Sequence, residues 1–203
     1  MDASAPAADR LSAALAAIDA ANADDPYTIV VDGVERPKEL AHAELMTQWV
    51  RTLAPDASDE QLIAARAHHV RRWSIPRDDY PRDRAGYLRW RTALRRQHAV
   101  EVAGIMRGAG YGDEEIARVQ AIVGKKGLGR DPDVQVHEDA LCLVFLATQF
   151  DALTAQLHDE DKMVDILQKT AAKMSPQGLA AAGTLTLSPG GSALLTRALD
   201  AAG

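Results

Sequence analysis

Four histidines in the middle of the chain stand about one helical hairpin apart. They are His42, the pair His68-His69, and His98, with separations of 69 − 42 = 27 and 98 − 69 = 29 residues. An acidic pair, Glu138-Asp139, opens an apolar stretch that runs to Phe150. Helices packed antiparallel can gather such imidazoles and carboxylates into a metal site inside a bundle. Such a site suits Mn, Fe, Co, Ni or Zn better than Mg or Ca, because imidazole is a borderline ligand. A lone histidine is usually a satisfied core or surface residue, but four on three neighbouring elements call for another explanation. His137 and His158, beside acids in polar stretches, are expected to face solvent.

The window from Arg66 to Arg96 adds a second kind of chemistry. It holds ten arginines, three aspartates and no lysine, so its charge is 10 − 3 = +7. The whole chain is at −6, which leaves −6 − 7 = −13 elsewhere. Trp73, Tyr80, Tyr87 and Trp90 lie in the same window. Arginine's planar fork suits bidentate phosphate contacts and stacking on aromatic rings. Arg71, Arg72, Arg77, Arg84 and Arg89 are therefore candidate phosphate ligands, with Lys125 and Lys126 adding charge from a facing loop. The bland alternative is that Asp78, Asp79 and Asp83 pair with these arginines and the prolines stiffen a loop. An anionic small molecule, phosphorylated because phosphate matches the fork, is the expected partner. RNA is a further possibility, since arginine with interleaved aromatics also suits stacked bases. The acidic remainder opposes a long polymer.

These side chains need a scaffold, and the composition says which kind. The chain has 203 residues, 38 of them alanine, and only nine aromatics. Alanine is the strongest helix former, so packed helices are expected rather than a sandwich or barrel. The length is that of one ordinary domain. The single cysteine, Cys142, excludes a disulfide framework and reads as a core residue. No apolar run approaches the ~18 residues of a membrane span, and a soluble, cytoplasmic chain with no membrane partner is expected. No glycine-rich phosphate loop follows a strand.

Local signals place the elements. The run Tyr27 to Val34, with Asp32-Gly33 as its turn, is the one β-like stretch and reads as a loop or small ribbon. Pro37 sits at the first turn of a helix that ends before Pro55. Ser58 and Gln61 form a capping box for a helix expected to run through His69 and Arg72. A loop follows from Ser74 to Arg84, then a long helix from Gly86 closed by Gly108 and Gly110. Asp113 starts the next helix, and Pro132 or Asp133 opens the apolar one. Further helices are expected near 159–173 and 192–201, giving seven to nine in all.

Two families share these residues. HAELMTQWV, AARAHHVRRW, RQHAVEVAGIM and EDALCLVFL together resemble the HD-domain metal-dependent phosphohydrolases over about Glu39 to Asp151. In that pattern His69 stands where an aspartate pairs with the preceding histidine, and Lys125 stands where a second-metal histidine falls. An ammonium has no lone pair to offer a metal. More closely, RRWSIPRDDYP, DRAGYLRWR and EDALCLVFL resemble the domain-of-unknown-function 4202 family over nearly the whole chain.

The resemblances imply an all-α fold, with an HD-like helical bundle at about 37–151 and additional C-terminal helices at 152–203 in a single domain. They imply a metal-dependent phosphohydrolase acting on a nucleotide or other phosphorylated small molecule, with His42, His68, His69 and Asp139 as ligands of one metal ion, His98 as an accessory ligand or proton donor, and His98 and Asp139 as the catalytic pair. The competing expectation is a catalytically degenerate HD-like module that binds a nucleotide or RNA without hydrolysis.

Overall fold

The computed structural model describes residues 7–157 and 159–200. Ten α-helices, one two-stranded hairpin and two short 3-10 turns make up the regular structure among them. The fold is all-α, as the alanine-rich composition requires. No single helix among the described residues is long and apolar enough to cross a membrane.

The first helix, α1 (Ala7–Ala23), buries Ala14, Ile18 and Ala21 at helical spacing. Strands β1 (Thr28–Val31) and β2 (Val34–Pro37) pair antiparallel, with Val31 opposite Val34. Asp32 and Gly33 both take positive φ, as a two-residue turn of this hand requires. Helix α2 (Lys38–Leu53) begins directly after the hairpin. The Asp25 carboxylate fixes that start: it accepts from Tyr27 N at 3.0 Å and from Glu39 N at 2.9 Å.

Helix α3 (Asp59–Arg66) opens with the capping box of Ser58 and Gln61, both halves of which are formed. It stops earlier than its sequence suggests. Arg71 takes a left-handed φ of 48°, and its N–H donates to the buried Asn22 side chain at 3.0 Å. Between them the chain turns on i,i+3 bonds, such as Arg72 N to His69 O at 2.9 Å. His68 and His69 therefore sit in a tight turn beyond α3, not on the helix. The 3-10 turns Arg72–Ser74 and Arg77–Asp79 follow.

Helix α4 (Arg84–Gly108) is capped by Asp83, which accepts from Gly86 N at 2.6 Å. Gly86 lies against Pro81, where a Cβ would meet the carbonyl oxygen at 2.1 Å. The preceding loop is pinned to α4: Trp90 Nε1 donates to Ile75 O at 2.9 Å, and Gln97 Nε2 donates to Arg71 O and Ser74 Oγ. Helix α5 (Asp113–Val123) leads through a glycine-rich loop to α6 (Pro132–Thr148). Asp131 caps α6 and takes both terminal nitrogens of Arg118. The apolar stretch does not run unbroken to Phe150: α7 (Phe150–Leu157) is set at 60° to α6. Helices α8 (Glu160–Ala171), α9 (Pro176–Ala182) and α10 (Pro189–Asp200) complete the fold. The sequence signals give no separate α7 or α9.

Two apolar clusters share α3. Ile63 and Ala64 pack with α1, α4 and α5, around Ile18, Met106 and Ile122. Leu62 and Ala65 pack with α2, α6, α8 and α10, around Met46, Leu143 and Met163. Buried polar residues come from both sides: His42 on α2, His68 after α3, His98 on α4, and His137 to Asp139 on α6.

Candidate functional site

Glu39 and His42 lie three residues apart on α2 and so share one face. The turn after α3 brings His69 to them. Ligand atoms of the three residues all lie within 4.8 Å of one another. Glu39 Oε2 is 3.6 Å from His42 Nδ1 and 3.3 Å from His69 Nδ1. That oxygen is buried and makes no well-formed hydrogen bond. Two atoms each about 2.1 Å from a tetrahedral ion are about 3.4 Å apart, so this spacing matches ligands around a common cation.

The tautomer of His42 supports the same reading. Thr148 Oγ1 donates its one hydrogen to Val144 O at 2.7 Å. It can therefore only accept from His42 Nε2, 3.3 Å away. In the neutral ring His42 Nδ1 then has a lone pair directed at a carboxylate oxygen; in the protonated ring it donates to that oxygen, and this form holds the Glu39 carboxyl low. A proton or a metal ion belongs between the two. A Glu and two imidazoles make a donor set that transition metals favour. Glu39 was not among the residues expected from the sequence. Its signal is the Glu-x-x-His spacing, Glu39 to His42, by which helical bundles present a carboxylate and an imidazole together.

The other histidines surround this group. The rings of His68 and His69 are 4.1 Å apart, and those of His69 and His98 are 5.9 Å apart. His68 Nδ1 shares a proton with His137 Nε2 across 2.9 Å. Burial holds His68 and His69 below the ordinary imidazole range, against the pull of Glu39 on His69. Burial, with His69 and Arg72 adding, pushes His98 down to about 3. Burial, with Lys125 and His69 adding, does the same to His137. Neutral imidazoles keep a lone pair for a metal or a proton. Glu39 moves the other way for a carboxylate. Burial raises it, but His42 and His69 outweigh burial and hold it well below the usual range.

Four consecutive residues of α6, His137 to Ala140, are buried, so the helix is enclosed at this turn. His137 is 1% exposed and faces His68, which corrects its expected solvent exposure. Glu138 meets the Lys125 ammonium. Asp139 points elsewhere again, one residue being about 100° of helix. Its Oδ1 accepts from Ser175 N at 2.9 Å and Gln135 Nε2 at 3.0 Å, and its Oδ2 from Ser175 Oγ at 2.5 Å. Asp139 thus fastens the start of α9 to α6. Both its oxygens are engaged there, and it is not gathered with His42, His68 and His69 as expected. His158 lies outside the described residues.

A cavity of about 530 Å³ adjoins the cluster. His68, His69, His98 and Glu138 form its polar end, and Arg72, Arg91, Arg95, Lys125 and Lys173 supply positive charge. Tyr87 and Trp90 line it as well. Arg72 connects the two parts. Its guanidinium stacks over Trp90 at 4.9 Å, its Nε is 3.9 Å from Glu39 Oε1, and it reaches His69 Nε2 at 3.4 Å.

Of the expected phosphate ligands, the structure places Arg72 and Lys125 in this wall. Arg71 is exposed and pairs with Glu101 at 3.6 Å. Arg77 donates to Tyr80 O at 2.9 Å and lies behind the aromatic rings. Arg84, Arg89 and Lys126 are exposed outside the cavity. Arg91, Arg95 and Lys173 take their place. The first two stand two turns and one turn before His98, a spacing that marks them as neighbours of that face.

The model of a family described as a domain of unknown function (DUF4202) matches residues 12–195. No curated protein and no solved structure matches the chain.

Proposed function

The chain belongs to the DUF4202 family, and from the chemistry of its own site we propose that it is a transition-metal-dependent phosphohydrolase. In this reading it resembles the HD-domain enzymes and acts on a nucleotide or another phosphorylated small molecule in the cytoplasm. One observation carries the proposal: His69 belongs both to the Glu39–His42–His69 group and to the wall of the cationic cavity.

Glu39, His42 and His69 would hold one Mn, Fe, Co, Ni or Zn ion. Such an ion supplies a Lewis acid for a phosphoryl oxygen and lowers the pKa of water. The remaining steps fall to the protein. Arg72, Arg91, Arg95 and Lys125 hold the non-reacting phosphate oxygens. His98, neutral and lining the cavity beside His69, would serve as an accessory ligand or give a hydrogen bond to the bound phosphate. Glu138 keeps Lys125 in place beside the cavity.

The test is metal content and turnover. Protein purified without chelator is expected to carry about one equivalent of a transition metal and to release phosphate from a nucleotide panel with added Mn. His69→Ala and Glu39→Gln are each expected to lose the metal. Absence of both metal and turnover sinks the proposal.

A second reading, binding of a nucleotide or RNA without hydrolysis, is favoured by the engagement of Asp139 with Ser175. That engagement leaves the group with one carboxylate. This reading predicts nucleotide affinity that survives Glu39→Gln, with no phosphate release at any metal concentration.

A further inference from the structure

Helix α4 is one wall of the cavity, and its charge is unusual. From Arg84 to Val100 it carries five arginines and no acid; Glu101 is the first. That stretch is +5, against −6 − 5 = −11 for the rest of the chain. Arg66, Arg71, Arg72, Arg107 and Arg118 each meet a carboxylate. Among the described residues, Arg84, Arg89, Arg91, Arg95 and Arg96 meet none.

Their arrangement has a direction. His98 is buried at the metal end of the cavity, and Arg95 and Arg91 follow in its wall. Tyr87 and Leu88 come next, 42% and 50% exposed. Arg84 starts the helix. Spacings of four, three and four place Arg84, Leu88, Arg91 and Arg95 on one stripe. Arg89 and Arg96 flank it. From His98 to Arg84 the helix rises about 21 Å, at about 1.5 Å per residue. A single nucleotide bound at the metal end leaves most of that length uncovered.

The geometry points to a single-stranded oligonucleotide whose terminal phosphate enters the cavity while the next few nucleotides lie along α4, from Arg95 past Tyr87 to Arg84. This rests on the reading of the cavity as a phosphate site and names the substrate class for it. Arginine's planar fork takes phosphate oxygens in pairs, and the neighbouring aromatic ring favours a strand that also carries bases. The exposed Tyr87 ring offers a base a stacking surface, which is tolerant of sequence. The acidic remainder of the chain limits the footprint to a few nucleotides.

Fluorescence anisotropy with 5′-phosphorylated, 3′-labelled oligoribonucleotides of one to eight residues tests this. Affinity is expected to rise at least tenfold from one to about four nucleotides and then level off. Three phosphate contacts predict a salt slope near about −2 in log–log form. Arg84→Ala/Arg89→Ala/Arg96→Ala is expected to abolish the dependence on length. These side chains are exposed, so its thermal unfolding serves as the folding control. Equal affinity for one and six nucleotides overturns the inference. So does a length-matched polyglutamate that binds as tightly as the RNA, which assigns the stripe to an acidic protein. Phosphate release from mononucleotides without length-dependent binding removes this inference alone. Length-dependent binding without metal or turnover removes the hydrolase reading and leaves the strand site standing.

Discussion

Glu39 holds Arg72 with one carboxylate oxygen and faces two imidazoles with the other. Oε1 lies 3.9 Å from Arg72 Nε, and Oε2 lies 3.3 Å from His69 Nδ1. Arg72 also reaches His69 Nε2 at 3.4 Å, and a guanidinium can only donate there. A cation at the Glu39–His42–His69 group therefore competes with Arg72 for both residues.

Arg72→Ala is accordingly expected to tighten metal binding, by about threefold or more, since a neighbouring positive charge is removed from a poorly solvated carboxylate. The same variant weakens binding of inorganic phosphate. Competition against a chromogenic chelator measures the first effect and calorimetry the second. Weaker metal binding in the variant would show that Arg72 supports the group rather than opposing it.

Asp139→Ala is expected to leave the metal content unchanged and to lower stability by about 3 kcal/mol. The loss comes from buried, charge-assisted hydrogen bonds and from the donors left without partners. Urea unfolding and elemental analysis on the same preparation separate the two effects. Loss of metal with unchanged stability would return Asp139 to the ligand set.

His137 gives the fold a pH dependence above the carboxylate range. Burial, then Lys125 and His69, push it down to about 3, while an unfolded imidazole titrates near about 6.5. The folded state therefore resists protonation. The contribution is fully present above about pH 6.5 and is lost as the pH falls toward 3. The urea midpoint is expected to drop between pH 7 and pH 5, and His137→Leu should drop less over that interval. Parallel pH profiles for the two proteins would show that His137 is not the titrating group.

Asn22→Ala tests how the turn after α3 presents His69. The Asn22 side chain holds Arg71 N, and Arg71 takes a left-handed φ of 48°. Such a backbone is costly outside glycine. Loss of the bond is expected to cost about 1–2 kcal/mol and to weaken metal binding through misplacement of His69. Asn22→Asp, which keeps the acceptor, should restore both. Failure of that rescue would locate the effect in core packing instead.

Much of this was legible locally. Asp32-Gly33, Ser58 with Gln61, and Asp131-Pro132 set their own turn or helix start through bonds to near neighbours. What was hidden depended on partners far away in the chain. The early end of α3 follows from Asn22, which lies 49 residues before Arg71. Burial of Glu138 depends on Lys125, and that of Asp139 on Ser175, 36 residues later. Acids beside His137 looked like a solvated surface because those partners were not in view. Glu39 escaped notice for the opposite reason: its signal was local, in register with His42, but the expected pattern was built on histidines alone.

The Asp25 carboxylate, which bonds both Tyr27 N and Glu39 N, closes a ring around the β-hairpin. The rotational phase of α2, and hence the aim of Glu39 and His42, is fixed at the base of that ring rather than at its tip. Residues added between Asp32 and Gly33 lengthen an exposed loop without turning the helix. The hairpin tip is therefore a place where this chain can accept an insertion, such as a peptide tag or a fluorophore attachment site, mechanically isolated from Glu39 and His42.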